Sequence, residues 1–287
     1  MTDRHKPFGG ISGSTLKLIA IITMFIDHLG ATVLRTVLGC QSVLEDPILR
    51  NTWGNIYNLS RDIGRLAFPI FCFLIVEGFL HTKNVKKYAG RLFLFALISE
   101  LPFDLALKGS WYYPEKQNVY FTLLIGLLVI AGIARITKNG TKNMFLSLLP
   151  LAAGMYLAFW IDTDYSYKGV FLIAVLYLLR YTRLYQCIGG AAAVSWELPA
   201  PLAFIPVYLY NGKRGRQMKY FFYWFYPVHL LLLHTIANYL IPVLIPGSVS
   251  YTHLFHICHI SPPCSLPCIL SVMFSSPACR RHRSRAG

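Results

Sequence analysis

Charge is scarce in this chain. Only 14% of its 287 residues are Asp, Glu, Lys or Arg, and 12 residues are acidic, whereas an average soluble domain is roughly 25% charged. Internal repeats and low-complexity linkers are absent from the body, and Cys40, Cys72 and Cys187 stand apart with no CxxC pair. These absences exclude a disordered chain, a collagen-like chain and a small disulfide scaffold. What is present is apolar: 55% hydrophobic residues, 15% aromatic, and a mean hydropathy of +0.49. Too few polar residues remain to coat a soluble globule of this length. The lipid bilayer is the expected surrounding.

The net charge of +15 does not point to nucleic acid, because the basic residues sit in short loops between long apolar runs. Cytoplasmic loops of membrane proteins have this character. A spanning helix needs about 20 mostly apolar residues. The runs that qualify, or nearly so, are Leu16–Leu38, Ile63–Leu80, Arg91–Leu107, Val119–Ile136, Met144–Ile161, Lys168–Leu179, Cys187–Tyr210 and Tyr220–Ile245. The first carries Asp27 and His28 at its centre and is too long for a signal-peptide core, so it reads as a retained span. Ser12 or Ser14 is its expected N-cap. The prediction is an all-α, polytopic transmembrane helical bundle of about eight or nine spans.

Lys83, Lys86, Lys87 and Arg91, then Arg135, Lys138 and Lys142, then Arg180 and Arg183 mark alternate loops as cytoplasmic, which places the N-terminus there too. One loop conflicts. Lys213, Arg214, Arg216 and Lys219 would fall outside if 187–210 crossed once. Pro199, Pro201, Pro206 and Glu197 interrupt that run, and a helical hairpin returning to the cytoplasmic side would reconcile the charges. The chain thus divides into a cytoplasmic segment (1–11), a transmembrane domain (12–246) and a tail (247–287). The tail has no Asp, Glu, Lys, Asn, Gln or Trp, yet holds four of the seven Cys and four of the nine His. Such a tract can bind zinc, but its spacing fits no zinc pattern. It reads instead as an out-of-frame or read-through segment, and no metal site is expected.

Ionisable groups at membrane depth are functional candidates by default. Asp27 and His28 lie mid-way along the first span, with Lys17 at its cytoplasmic start. Glu77 lies near the cytoplasmic end of the second, close in depth to Lys17 and Arg91. Glu100 and Asp104 share a helix face on either side of Pro102, with Arg65 or Arg35 as expected partners. His229, in Phe225-Tyr226-Pro227-Val228-His229, falls at a depth similar to His28. Histidine titrates near neutrality and is the commonest general base.

The stretches LKLIAIITMFIDHLG (16–30), GRLAFPIFCFLIVEGFLHTKN (64–84), KYAGRLFLFALISELPFDLAL (87–107), QNVYFTLLIGL (117–127), YNGKRG (210–215) and FYPVHLLLL (225–233) resemble the TraX family. These are integral-membrane proteins named for a conjugal-transfer protein that acetylates the N-terminus of pilin. The resemblance covers about 12–240. TraX proteins in turn resemble wider membrane acyltransferases that use cytoplasmic acyl-CoA. Many of those carry a basic residue eleven positions before a His in the first helix, the spacing of Lys17 and His28. Their Arg-x-x-Arg cluster is absent here and is matched loosely by Lys87 and Arg91.

The resemblance implies an acyltransferase of the inner membrane. It would move acetyl from acetyl-CoA to a protein N-terminus, pilin-like or otherwise, or to a surface glycan or lipid. Catalysis would rest on His28, Asp27 and His229, and substrate binding on Lys17, Lys87, Arg91, Glu77, Glu100 and Arg214. Two other readings fit the same residues. One is a proton-coupled transporter with Asp27, His28, Glu77 and Glu100 as its relay. The other is a non-catalytic membrane assembly factor of a conjugation or surface system.

Overall fold

The computed structural model describes residues 10–138, 145–216 and 219–245; the tail at 247–287 and the basic residue Lys142 lie outside them. Two isolated bridges apart, the described residues form helices and the loops between them. The chain is an all-α helical bundle of membrane-protein character. Gly13–Leu38, Pro47–His81, Val119–Thr137 and Tyr220–Leu244 are long and apolar enough to cross a bilayer, and Phe145–Trp160 and Ser166–Leu178 are shorter apolar helices beside them.

Helix α1 (Gly13–Leu29) starts at Ser12, whose hydroxyl accepts from the Thr15 amide and satisfies one of the free N–H groups of the first turn. It continues through a π-turn, Gly30–Leu34, into α2 (Arg35–Leu38). After the short α3 (Gln41–Glu45) comes α4 (Pro47–Gly64). The sequence reading treats 39–62 as a loop because it is not apolar. The structure makes most of it helical, since Asp46 accepts from the Ile48 and Leu49 amides and Pro47 occupies the first turn. At Gly64 the chain approaches α1 so closely that a Cβ would overlap the Asp27 carboxylate, and Gly30 meets Ser60 in the same way. Small residues allow such approach between membrane helices.

The remaining helices are α5 (Ala67–His81), α6 (Val85–Phe103) with a π-turn Asp104–Lys108, α7 (Val119–Lys138), α8 (Leu148–Trp160) and α9 (Ser166–Leu178). The main core lies where α1, α5, α6, α7 and α9 meet, with Leu16, Ile70, Phe73, Leu127, Ile130 and Ile173 fully enclosed. Helix α12 (Lys219–Thr235) runs on through a π-turn, Ile236–Leu240, into α13 (Ile241–Leu244). A second apolar cluster joins Val33 and Val37 to Leu233 and Ala237. It ties the first membrane helix to the last and sets their shared depth.

The 183–210 region folds as a hairpin, the arrangement that would reconcile the loop charges. Helix α10 (Arg183–Ala193) leads to a turn at 194–199, and a 3-10 turn with α11 (Phe204–Tyr208) packs back along it. Its two ends meet: the Arg183 guanidinium lies 5.2 Å from the Tyr210 ring centre. Its tip is anchored elsewhere, with Glu197 paired to Arg65 at the break between α4 and α5. Glu77 follows Arg65 by twelve positions, most of them in α5, so at 1.5 Å per residue the hairpin reaches about 18 Å into the bundle. The basic loops converge at one end, where the Gly13 amide donates to the Lys213 carbonyl and the Arg214 guanidinium to the His81 carbonyl.

Candidate functional site

His28 and His229 come from opposite ends of the chain and touch. Their rings lie 4.9 Å apart between centres with planes within 17°, and His28 Nδ1 is 2.6 Å from His229 Nε2. This is two imidazoles joined edge to edge. The tautomers follow from the next bond. His229 Nδ1 lies 2.6 Å from the Phe225 carbonyl one turn back, and a carbonyl only accepts. His229 Nδ1 therefore donates, its Nε2 accepts, and His28 Nδ1 donates to it. The nitrogen left with a free lone pair is His28 Nε2. That arrangement suits a general base held in one tautomer by its neighbour.

Helix α12 is built to support the pair. Pro227 has no N–H, so the Tyr223 carbonyl four residues earlier has no helical donor. The Tyr120 hydroxyl of α7 donates to that carbonyl at 3.2 Å. Tyr226 packs its ring edge against Tyr120 at 5.2 Å and stands 5.8 Å from both histidine rings.

Asp27, next in sequence to His28, does not reach it. Its carboxylate pairs with Arg61 of α4 at 2.8 Å, because neighbouring helical residues point about 100° apart. Glu100 takes the Asn118 amide at 2.6 Å and the Asn118 backbone N–H at 2.9 Å. Asp104 accepts from the Tyr113 amide. Of the two expected partners, Arg65 is held instead by the hairpin tip, and both carboxylates accept from local amide donors.

Four of the predicted binding residues do converge. Lys17, Glu77, Arg91 and Arg214 line one cavity of about 380 Å³ at the basic end, with Tyr120 and Tyr223 among its other walls. Lys87 is exposed at the start of α6, its amide capped by Asn84, and does not line the cavity. Lys17 lies against the Phe222 ring at 5.3 Å. Lys17 and His28 are eleven residues apart on one helix, about 16 Å along its axis at 1.5 Å per residue. Tyr120 belongs both to the cavity wall and to the ring layer against Tyr226, so one aromatic layer divides cavity from histidine pair. The Tyr210 hydroxyl lies beside the Glu77 carboxylate in the cavity wall.

Several contributors carry no signal in the sequence. Arg183 approaches Glu77 at 3.5 Å from 106 positions away, and Arg61 and Glu197 find partners only through tertiary packing. His81 is the exception, since its i,i+4 spacing from Glu77 puts both on one face.

A sequence profile of the TraX protein family matches residues 12–237. The chain belongs to the TraX family. A relative in Dichelobacter nodosus, described as "Probable fimbrial assembly protein FimC, serogroup H1", is 30% identical over 245 residues, which cover 77% of this chain and 94% of that protein. No solved structure matches the chain. The TraX match takes in both histidines, the cavity and the hairpin, and stops short of the tail.

Proposed function

We propose that this TraX-family protein is an integral-membrane acyltransferase. It transfers acetyl from acetyl-CoA, bound at the basic end, to an amine or hydroxyl of a protein N-terminus or a surface glycan or lipid. The reading is supported by one arrangement: a cationic cavity separated by a single tyrosine layer from a histidine whose free nitrogen is fixed as Nε2. In the cytoplasmic membrane the positive-inside rule turns the basic end toward cytoplasmic acyl-CoA. The Lys17 and Arg214 cations suit its phosphates.

The acceptor N–H or O–H gives its proton to His28 Nε2 as its heteroatom attacks the thioester carbonyl. The C–S bond then breaks, and the leaving thiolate takes the proton back from His28. His229 holds His28 in the required tautomer and accepts hydrogen-bond density as the imidazolium forms. The acceptor class follows the naming of the relative: a fimbrial assembly role makes a pilin-like subunit the first acceptor to try.

The test is acetyl transfer by the detergent-purified full chain and its His28→Ala variant, with acetyl-CoA and a pilin N-terminal peptide. Turnover that falls 100-fold or more in the variant supports the reading. Equal turnover removes His28 from the chemistry. Absence of both turnover and coenzyme A binding in the parent would favour the assembly role that the relative's description names, without catalysis.

A further inference from the structure

Two buried polar atoms in the wall of the basic-end cavity have no hydrogen-bond partner: Glu77 Oε2 and Arg91 Nε. They differ in kind, since one only accepts and the other only donates. Glu77 is 8% exposed. Its other oxygen, Oε1, is 3.5 Å from Arg183. His81 Nδ1 stands 3.8 Å from Oε2 but donates instead to the Glu77 carbonyl at 2.8 Å, and the Tyr210 hydroxyl beside the carboxylate leaves Oε2 without a hydrogen bond. Arg91 stacks near the Tyr88 ring, which leaves its Nε–H unanswered. Buried polar atoms are nearly always satisfied, and an orphaned one carries a desolvation penalty. Two orphans of opposite type, on residues that line one cavity, ask for a ligand with both a donor and an acceptor.

Phosphates cannot answer both, because they would repel Glu77. A simple acyl chain answers neither. A secondary amide answers both, with its N–H to Glu77 Oε2 and its C=O to Arg91 Nε. Such an amide also needs partners wherever water is excluded. Resting on the acyl-donor reading above, we infer that Glu77 and Arg91 recognise an amide of a pantetheine arm. The cavity then takes the arm of the donor, with the thioester directed past the tyrosine layer toward His28, while Lys17 and Arg214 meet its phosphates. Arm recognition makes the donor class any acyl-phosphopantetheine, whether carried on a nucleotide or on a carrier protein.

The experiment measures affinity of the full-length wild-type protein for a graded set: acetyl-CoA, acetyl-pantetheine, S-acetyl-N-acetylcysteamine and S-ethyl thioacetate. The same set is measured for Glu77→Gln and Arg91→Lys. With Arg183 beside Oε1, the Gln oxygen keeps that side and its NH₂ turns the orphan acceptor into a donor. Acetyl-pantetheine is expected to bind wild type at least tenfold tighter than S-ethyl thioacetate, and to lose about tenfold in each variant at unchanged melting temperature. Comparable affinity for amide-bearing and amide-free thioesters in wild type overturns the inference, even if a variant fails to fold. Unchanged acetyl-pantetheine affinity in folded variants overturns it as well, while acetyl-CoA binding would leave the acyltransferase reading standing. If wild type binds neither acetyl-CoA nor any truncated thioester, both fall together. Acetyl-phosphopantetheine on a carrier protein, set against acetyl-CoA, separates the two donor sources.

Discussion

His28 and His229, 201 residues apart in sequence, share a 2.6 Å nitrogen–nitrogen contact inside the bundle. Because His229 spends its own proton on the Phe225 carbonyl, it can only accept from His28. The pair therefore has a direction. Replacing His28 by Ala removes the base and should lower turnover about 10²- to 10⁴-fold. His229→Gln places an amide oxygen where it can still accept from His28 Nδ1. It should retain far more activity than His229→Ala, for which a loss of about 10- to 100-fold is expected for an orienting partner. Steady-state kinetics of the three variants at matched folding checks this order.

The Asp27–Arg61 pair joins α1 to α4 away from the histidines. Removing one partner leaves the other charge uncompensated, at a cost of about 3 kcal/mol for a mostly buried pair. Asp27→Leu alone and Arg61→Met alone should each lower thermal stability. The double variant should recover most of the loss. Melting temperatures in one detergent provide the comparison, and a double variant as unstable as the sum of the singles would refute the pairing.

Gly64 faces the Asp27 carboxylate with no room for a methyl group. Gly64→Ala should cost about 1–3 kcal/mol, the usual range for overpacking. Gly54, with open space around it, is the control on the same helix. Gly54→Ala is expected to be neutral or slightly stabilising, since Ala is the better helix former.

Charge in the cavity mouth should appear as salt dependence. The Debye length falls from about 10 Å at 0.1 M to about 3 Å at 1 M ionic strength. KM for acetyl-CoA should therefore rise across that range, while KM for uncharged acetyl-pantetheine stays flat. Lys17→Ala should raise the first KM several-fold with kcat within about twofold. Equal salt response for both substrates would detach the cations from phosphate binding.

Much of this was readable from residue order alone. The apolar runs locate the bundle's helices, and the eleven-residue step from Lys17 to His28 places a cation near one end of α1 and a histidine deep within it. The matched depth of His28 and His229 was also visible, because both spans have clear ends to count from. The pairings were not. Asp27 is next to His28 in sequence, yet helix geometry turns it toward Arg61. Arg65 meets Glu197 across 132 positions, a contact that no periodicity encodes. Helix α4 carries no apolar signal for a different reason: its start is fixed by the Asp46–Pro47 cap rather than by hydropathy.

The hairpin at 183–210 has a consequence for compartment parity. Its two ends meet at the basic end of the bundle, so by the positive-inside rule it is expected to add nothing to the number of crossings despite supplying 28 residues of largely apolar chain. Reporters inserted after Tyr181 and after Gly212 would therefore share one compartment, whereas a single crossing would set them in opposite ones. An even count at the hairpin would in turn fix the direction of α12 and each later segment through the bilayer.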